Sequence, residues 1–169
     1  PLVYTPTVGA ACQAFSQLWP EIPHSCGLFL QKGRDKGKIA EKLSAYSGIK
    51  AIVVTDGQRI LGLGDLGANG MGIPVGKMAL YTGLGGLRPE ECLPVTLDCG
   101  TNTESILADP AYIGLRQKRS KAGTPEHQEY MDFVDEFVVA VRERFGKNTL
   151  IQWEDFGNEN AFVVLEKYK

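Results

Sequence analysis

Gly48-Ile49-Lys50-Ala51-Ile52-Val53-Val54-Thr55-Asp56-Gly57 reads as a helix stop, a strand and a turn in succession. Gly48 is placed to take the left-handed conformation that closes a helix. The apolar, β-branched run from Ile49 to Thr55 predicts a buried strand. Asp56-Gly57 signals a turn, after which Arg59-Ile60-Leu61-Gly62-Leu63 is expected to form a short strand, paired with its predecessor as a hairpin.

Working upstream, the helical pattern from Asp35 turns Ile39, Leu43 and Tyr46 inward. At the start, Thr5-Pro6 predicts a helix with Thr5 as N-cap and Pro6 in the first helical position. Val8, Ala11, Cys12, Phe15 and Leu18 then share a face, and Pro20 and Pro23 end it. Downstream, a Gly-rich segment runs to Gly72, and Pro74 is expected to open a helix reaching Gly85-Gly86, with Lys77 in its first turn. Leu93 to Asp98 predicts another short strand. A polar loop, Arg116 to Gly123, precedes a long amphipathic helix that Thr124-Pro125 opens and Gly146 stops, its buried face being Tyr130, Phe133, Val134, Phe137, Val138 and Val141. Thr149 to Trp153 reads as the last strand and Asn158 to Lys169 as a further helix. Short apolar strands separated by amphipathic helices predict a three-layer α/β/α fold around a small, mainly parallel sheet. Ligands of such folds gather beyond the carboxyl ends of the strands, where Glu154 and Asp155 stand.

The 169 residues fit one domain, and 43% hydrophobic with 22% charged residues is an ordinary globular composition. A net charge of -2 leaves no excess of Lys and Arg for nucleic acid or an anionic membrane. No apolar stretch approaches the roughly 20 residues that span a bilayer, and Pro1 to Gly9 lacks the pattern of a signal peptide. Cys12, Cys26, Cys92 and Cys99 show no CxxC spacing and no nearby His, so reduced thiols in an intracellular compartment are expected rather than zinc or a disulfide framework. The absence of an initiator Met predicts that further sequence precedes Pro1.

Gly62-x-Gly64-x-x-Gly67 matches the dinucleotide fingerprint, but that motif needs a helix opening at its glycines, which Ala68-Asn69-Gly70-Met71-Gly72 and Pro74 are expected to prevent. A close-packed loop is the reading preferred. Glu154-Asp155 suits a hard cation such as Mg²⁺, although neighbours on a strand point to opposite faces and share one ion only if the chain turns there. Spacing alone does not separate this from a solvated acidic turn. Lys77 is the single charge in the run from Ile73 to Leu87 and either snorkels to the surface or needs a partner. Tyr4 precedes the expected N-cap, where an apolar side chain usually packs on the fourth helical residue, here Gly9. Arg59 reads equally as a hairpin surface charge. Arg116, Lys118, Arg119 and Lys121 read as a solvated basic loop, and His24 and His127 receive no role.

Several segments together change this balance. Val3-Tyr4-Thr5-Pro6-Thr7-Val8-Gly9, Val54 through Gly67, Gly70-Met71-Gly72-Ile73-Pro74-Val75-Gly76-Lys77, Leu97-Asp98-Cys99-Gly100-Thr101-Asn102 and Ile151-Gln152-Trp153-Glu154-Asp155-Phe156 resemble the amino-terminal catalytic domain of malic enzymes. The fold implied is the one this domain shares with amino acid dehydrogenases. The resemblance implies Tyr4 as general acid, Lys77 as general base, Arg59 in substrate and cofactor binding, and Glu154 and Asp155 as metal ligands. It also implies Mg²⁺ or Mn²⁺, NAD or NADP, and malate and pyruvate as ligands, in an intact homo-oligomeric enzyme of cytosol, mitochondrion or plastid. The family's third carboxylate ligand and its NAD(P)-binding Rossmann domain are expected beyond Lys169, so the isolated chain is expected to turn over little. A malolactic enzyme domain and a non-catalytic assembly module are the alternatives. A lysine that removes the malate hydroxyl proton must have its pKa lowered from about 10.4, by burial and a nearby cation.

Overall fold

The computed structural model describes residues 2–22 and 26–168; Pro23, His24 and Lys169 lie outside the described residues. In chain order the elements are α1 (Thr7–Gln13), α2 (Phe15–Leu18), β1 (Leu28–Gln31), α3 (Lys32–Asp35), α4 (Ile39–Leu43), β2 (Ala51–Thr55), α5 (Gly72–Gly83), β3 (Cys92–Asp98), α6 (Glu104–Ala108), α7 (Pro125–Phe145), β4 (Leu150–Glu154) and α8 (Asn158–Tyr168), with 3-10 turns at Trp19–Glu21, Gly67–Met71 and Pro89–Glu91. The four strands form one sheet in the order β1-β3-β2-β4, parallel at each pairing.

Side chains alternate across a strand, and β2 shows how both faces are covered. Ile52 and Val54 join the larger core with Ile39 and Leu43 of α4, Phe133 and Phe137 of α7 and Val164 of α8. Ala51 and Val53 pack on the other face with Met78 of α5. The predicted three-layer α/β/α architecture is thus present, with α4, α7 and α8 on one side and α5, backed by α1, on the other.

Several local expectations are corrected. Thr5 makes no cap; Pro6, after a cis peptide bond, is itself the N-cap of α1, and Leu18 is exposed rather than inward. The strand β1 escaped the reading because four residues at a sheet edge leave no periodicity to read. The helix expected from Asp35 breaks at Gly37, whose φ is +79, and restarts at Ile39, where Glu136 of α7 accepts from the Gly37 and Ile39 amides at 2.8 and 3.1 Å. Arg59–Leu63 is not a hairpin strand. Both edges of β2 are taken by β3 and β4, so this segment instead closes a tight turn on itself through Ile60 and Gly64. Helix α5 starts at Gly72, after a 3-10 turn over the very residues expected to bar helix. Pro74 is tolerated there because the first-turn amides have no intrahelical partner. Lys77 consequently lies in the second turn. The long helix behaves as expected: Thr124 accepts from the His127 amide at 3.3 Å, and Gly146 closes it at φ +91.

Candidate active site

The sheet ends converge on one corner of the molecule, where α5 lies over the carboxyl end of β4. Lys77 Nζ stands 3.2 Å from Glu154 Oε1 and 4.8 Å from the centre of the Tyr4 ring. The Lys77 and Glu154 side chains are only 23% and 16% exposed, so this lysine does not snorkel into solvent. Tyr4 reaches it because α5 carries glycine where the amino-terminal segment crosses. A Cβ on Gly76 would meet the Val3 carbonyl oxygen at 2.8 Å, and one on Gly72 would meet Cys12 Sγ at 2.6 Å. Larger residues at these two positions would push Tyr4 and α1 away from Lys77.

Burial works against the Lys77 ammonium, but hydrogen bonding to Tyr4 and Glu154, together with the Glu154 charge, outweighs it and holds Lys77 above its ordinary value. The fall expected of a general base is therefore not met in this arrangement.

Asp155 follows Glu154 in the left-handed region, at φ 54, and so supplies the turn that two neighbouring ligands of one ion require. Its carbonyl accepts from the Arg59 amide at 2.9 Å. Burial, then the neighbouring Glu154 carboxylate, push its own carboxyl up to about 6 against the Leu61 amide, Lys77 and Arg59. Asp155 Oδ2 is buried and has no hydrogen-bond partner. An orphaned carboxylate oxygen beside a second carboxylate is a hard, negative donor set, and it fits Mg²⁺ or Mn²⁺. Among the described residues no group of three or more His, Cys, Asp or Glu could complete such a centre.

Arg59 is exposed, and its guanidinium donates to Asn158 at the start of α8. It borders an open cleft of about 850 Å³ along the outer edge of β4, shared with Asp155, Trp153 and Leu165. The structure thus brings Lys77 into contact with both Tyr4 and Glu154, keeps Asp155 next to Glu154, and leaves Arg59 at the rim.

Sequence reasoning missed two parts of this corner. Gln152 donates to Glu154 Oε1 and accepts from the Tyr81 hydroxyl. The available signal was spacing, since Tyr81 is four residues after Lys77 on a helix and Gln152 two before Glu154 on a strand. Arg119, expected in a solvated loop, is instead 5% exposed. It grips Asp65 through two nitrogens at 2.9 and 3.1 Å, donates to the Asp56 carbonyl at 2.6 Å and stands 3.6 Å from the Asp56 carboxylate. Burial raises the Asp56 carboxyl, against Arg119, the Gln58 amide and the Tyr130 hydroxyl, which donates to it at 2.9 Å. This knot holds the Asp56–Gly67 loop against β2 and so fixes where Arg59 emerges. Gly62, Gly64 and Gly67 of the loop all have positive φ, and α5 opens only beyond them, at Gly72.

Fold and site together define an α/β domain whose polar groups gather at the carboxyl end of a parallel sheet, the position where ligands of such folds collect. The family model for the malic enzyme N-terminal domain matches residues 1–169, and the chain belongs to that family. It is 58% identical to the NADP-dependent malic enzyme of Homo sapiens, with 100% of the chain and 28% of the relative aligned. It is 55% identical to that of Phaseolus vulgaris, over 99% of the chain and 27% of the relative. A chloroplastic NADP-dependent malic enzyme of Flaveria trinervia is 56% identical, over 100% of the chain and 25% of the relative. The chain therefore spans about a quarter to 29% of the length of such relatives. No helix among the described residues is long and apolar enough to cross a membrane.

Proposed function

We propose that this chain is the substrate-side and metal-side domain of an NADP-dependent malic enzyme, the whole protein converting malate to pyruvate and carbon dioxide. The observation that carries the reading is Lys77 set between Tyr4 and Glu154, with the orphaned Asp155 oxygen beside them. The nucleotide domain is proposed to lie outside these residues, in keeping with the length of the relatives.

Lys77 would accept the malate hydroxyl proton as hydride leaves the adjacent carbon for NADP. Glu154 cannot fully neutralise Lys77 and serve as a cation ligand at once, so the ion pair at 3.2 Å and the base form of Lys77 are alternatives. Glu154 and Asp155 would hold Mg²⁺ or Mn²⁺, which when bound supplies Lewis-acid polarisation of the substrate oxygens. Tyr4 would protonate the three-carbon enolate left after carbon dioxide departs. Arg59, at the rim, would meet the charged end of substrate or cofactor.

The test is NADPH and pyruvate formation from malate by the full-length protein with Mn²⁺. Lys77→Ala is expected to lower kcat by about 10²–10⁴-fold, and the 169-residue chain alone to show little turnover. Lactate without net NADPH would identify a malolactic enzyme instead, and unchanged kcat in Lys77→Ala would remove Lys77 from the chemistry.

A further inference from the structure

Tyr81 and Gln152 face each other beside the Lys77–Glu154 pair. A helix rises about 1.5 Å per residue, so Lys77 and Tyr81 are separated by roughly 6 Å along one side of α5. A strand advances about 3.3 Å per residue, so Gln152 and Glu154 are separated by roughly 6.6 Å on one face of β4. The spacings match, and the two elements form two rungs: Lys77 on Glu154, and Tyr81 on Gln152.

Chemistry sets the direction of the hydrogen bonds. An ionised carboxylate only accepts, so Gln152 must turn its amide N–H toward Glu154. That leaves the Gln152 carbonyl oxygen toward Tyr81, whose hydroxyl donates to it. Glu154 Oε1 consequently receives both Gln152 Nε2 and Lys77 Nζ, while no described residue donates to Oε2. Gln152 is the only one of these groups with both ends engaged. Without Tyr81 its amide would be held at one end alone.

We infer that Tyr81 and Gln152 are positioning residues that pin Glu154 by Oε1 and present Oε2 to a ligand. The inference rests on the reading of Glu154 as a ligand of a divalent cation. Neither residue touches the reacting atoms. Outer hydrogen-bond partners of this kind orient a ligating carboxylate, and their loss typically weakens metal affinity about 10–100-fold.

Mn²⁺ binding to the full-length protein, followed by the electron paramagnetic resonance of the free ion, tests this. Gln152→Leu is expected to weaken binding about 10–100-fold and Tyr81→Phe about 2–10-fold. Because Tyr81 acts only through Gln152, adding Tyr81→Phe to Gln152→Leu should change nothing further. Additive losses, or single variants within twofold of wild type, would overturn the relay. Should Gln152→Leu fail to fold, Tyr81→Phe keeps the ring and decides alone. A crystal structure of the metal-free Tyr81→Phe protein reads the relay independently of any cation. Gln152 turned or Glu154 spread over several conformers supports it; both side chains unmoved refutes it. If wild type holds Mn²⁺ no better than Glu154→Gln, the metal reading fails while the metal-free structure still decides the relay.

Discussion

Two polar clusters sit within a few residues of each other in this domain and are built on opposite rules. In the Asp56–Arg119–Asp65 knot, the Asp56 carboxylate accepts from Gln58 and Tyr130, and Arg119 is shared between two carboxylates and a carbonyl. At the carboxyl end of β4, Asp155 keeps a buried oxygen with no partner and a backbone in the left-handed region. A saturated buried network has nothing left to offer a ligand and serves to fix the chain; an unsaturated, strained one costs stability and keeps binding capacity. The difference is thus between a group that shapes the corner and a group proposed to bind the ligand.

The largest expected effect separates the two by stability. Arg119→Leu strips the cation from fully buried Asp56 and half-buried Asp65 and is expected to cost about 3–5 kcal/mol, read from urea unfolding of the metal-free protein. Lys77→Leu, at the partly exposed pair, is expected to cost no more than about 1 kcal/mol. Equal losses would erase the distinction.

The same contrast explains what could be read in the sequence. Helix α7 and strand β2 were legible because their burial is periodic or continuous over many residues, a signal carried locally. Lys77 and the acidic pair stood out as isolated charge in an apolar run and as carboxylates at a strand end, but only the resemblance to malic enzymes chose them over a snorkelling lysine and a solvated turn. Arg119 was not, since the carboxylates that bury it lie 54 and 63 residues away and a basic loop looks the same with or without them. Arg59–Leu63 has the composition of a strand; only the sheet order, with β2 already flanked by β3 and β4, denies it a partner. Gln152 and Tyr81 needed the register of α5 against β4, which no local pattern carries.

A second, smaller effect concerns the strained acid itself. Asp155→Gly removes the orphaned oxygen and places at φ 54 the residue that tolerates it best. The metal-free protein is expected to gain about 1 kcal/mol, measured by urea unfolding, while the full-length protein loses Mn²⁺ affinity. A loss of stability would show that the Asp155 side chain serves the fold, in the manner of the knot.

The smallest effect lies away from both clusters and calibrates them. Glu91 receives Lys50 at 2.7 Å and Arg88 at 3.0 Å, and these partners, Lys50 first, hold its carboxyl down to about 2 from an ordinary 4.5. A carboxyl lowered by folding contributes stability that is complete above its unfolded value and disappears as pH falls through the folded one. Stability should therefore decline between about pH 4.5 and 2 on this account. Asp56, raised by burial, has the opposite sign: below its folded value it is neutral, and acid relieves its desolvation rather than breaking its pairing. Glu91→Gln should accordingly flatten the acid limb of the stability profile by lowering the neutral plateau, where the pairing with exposed Lys50 and Arg88 is complete, and leave the acid end nearly as it is. An acid limb unchanged by Glu91→Gln would move the origin of acid sensitivity to another carboxyl lowered by folding, such as Asp35, where burial is outweighed by the Arg34 guanidinium, the Gln31 amide and Lys42.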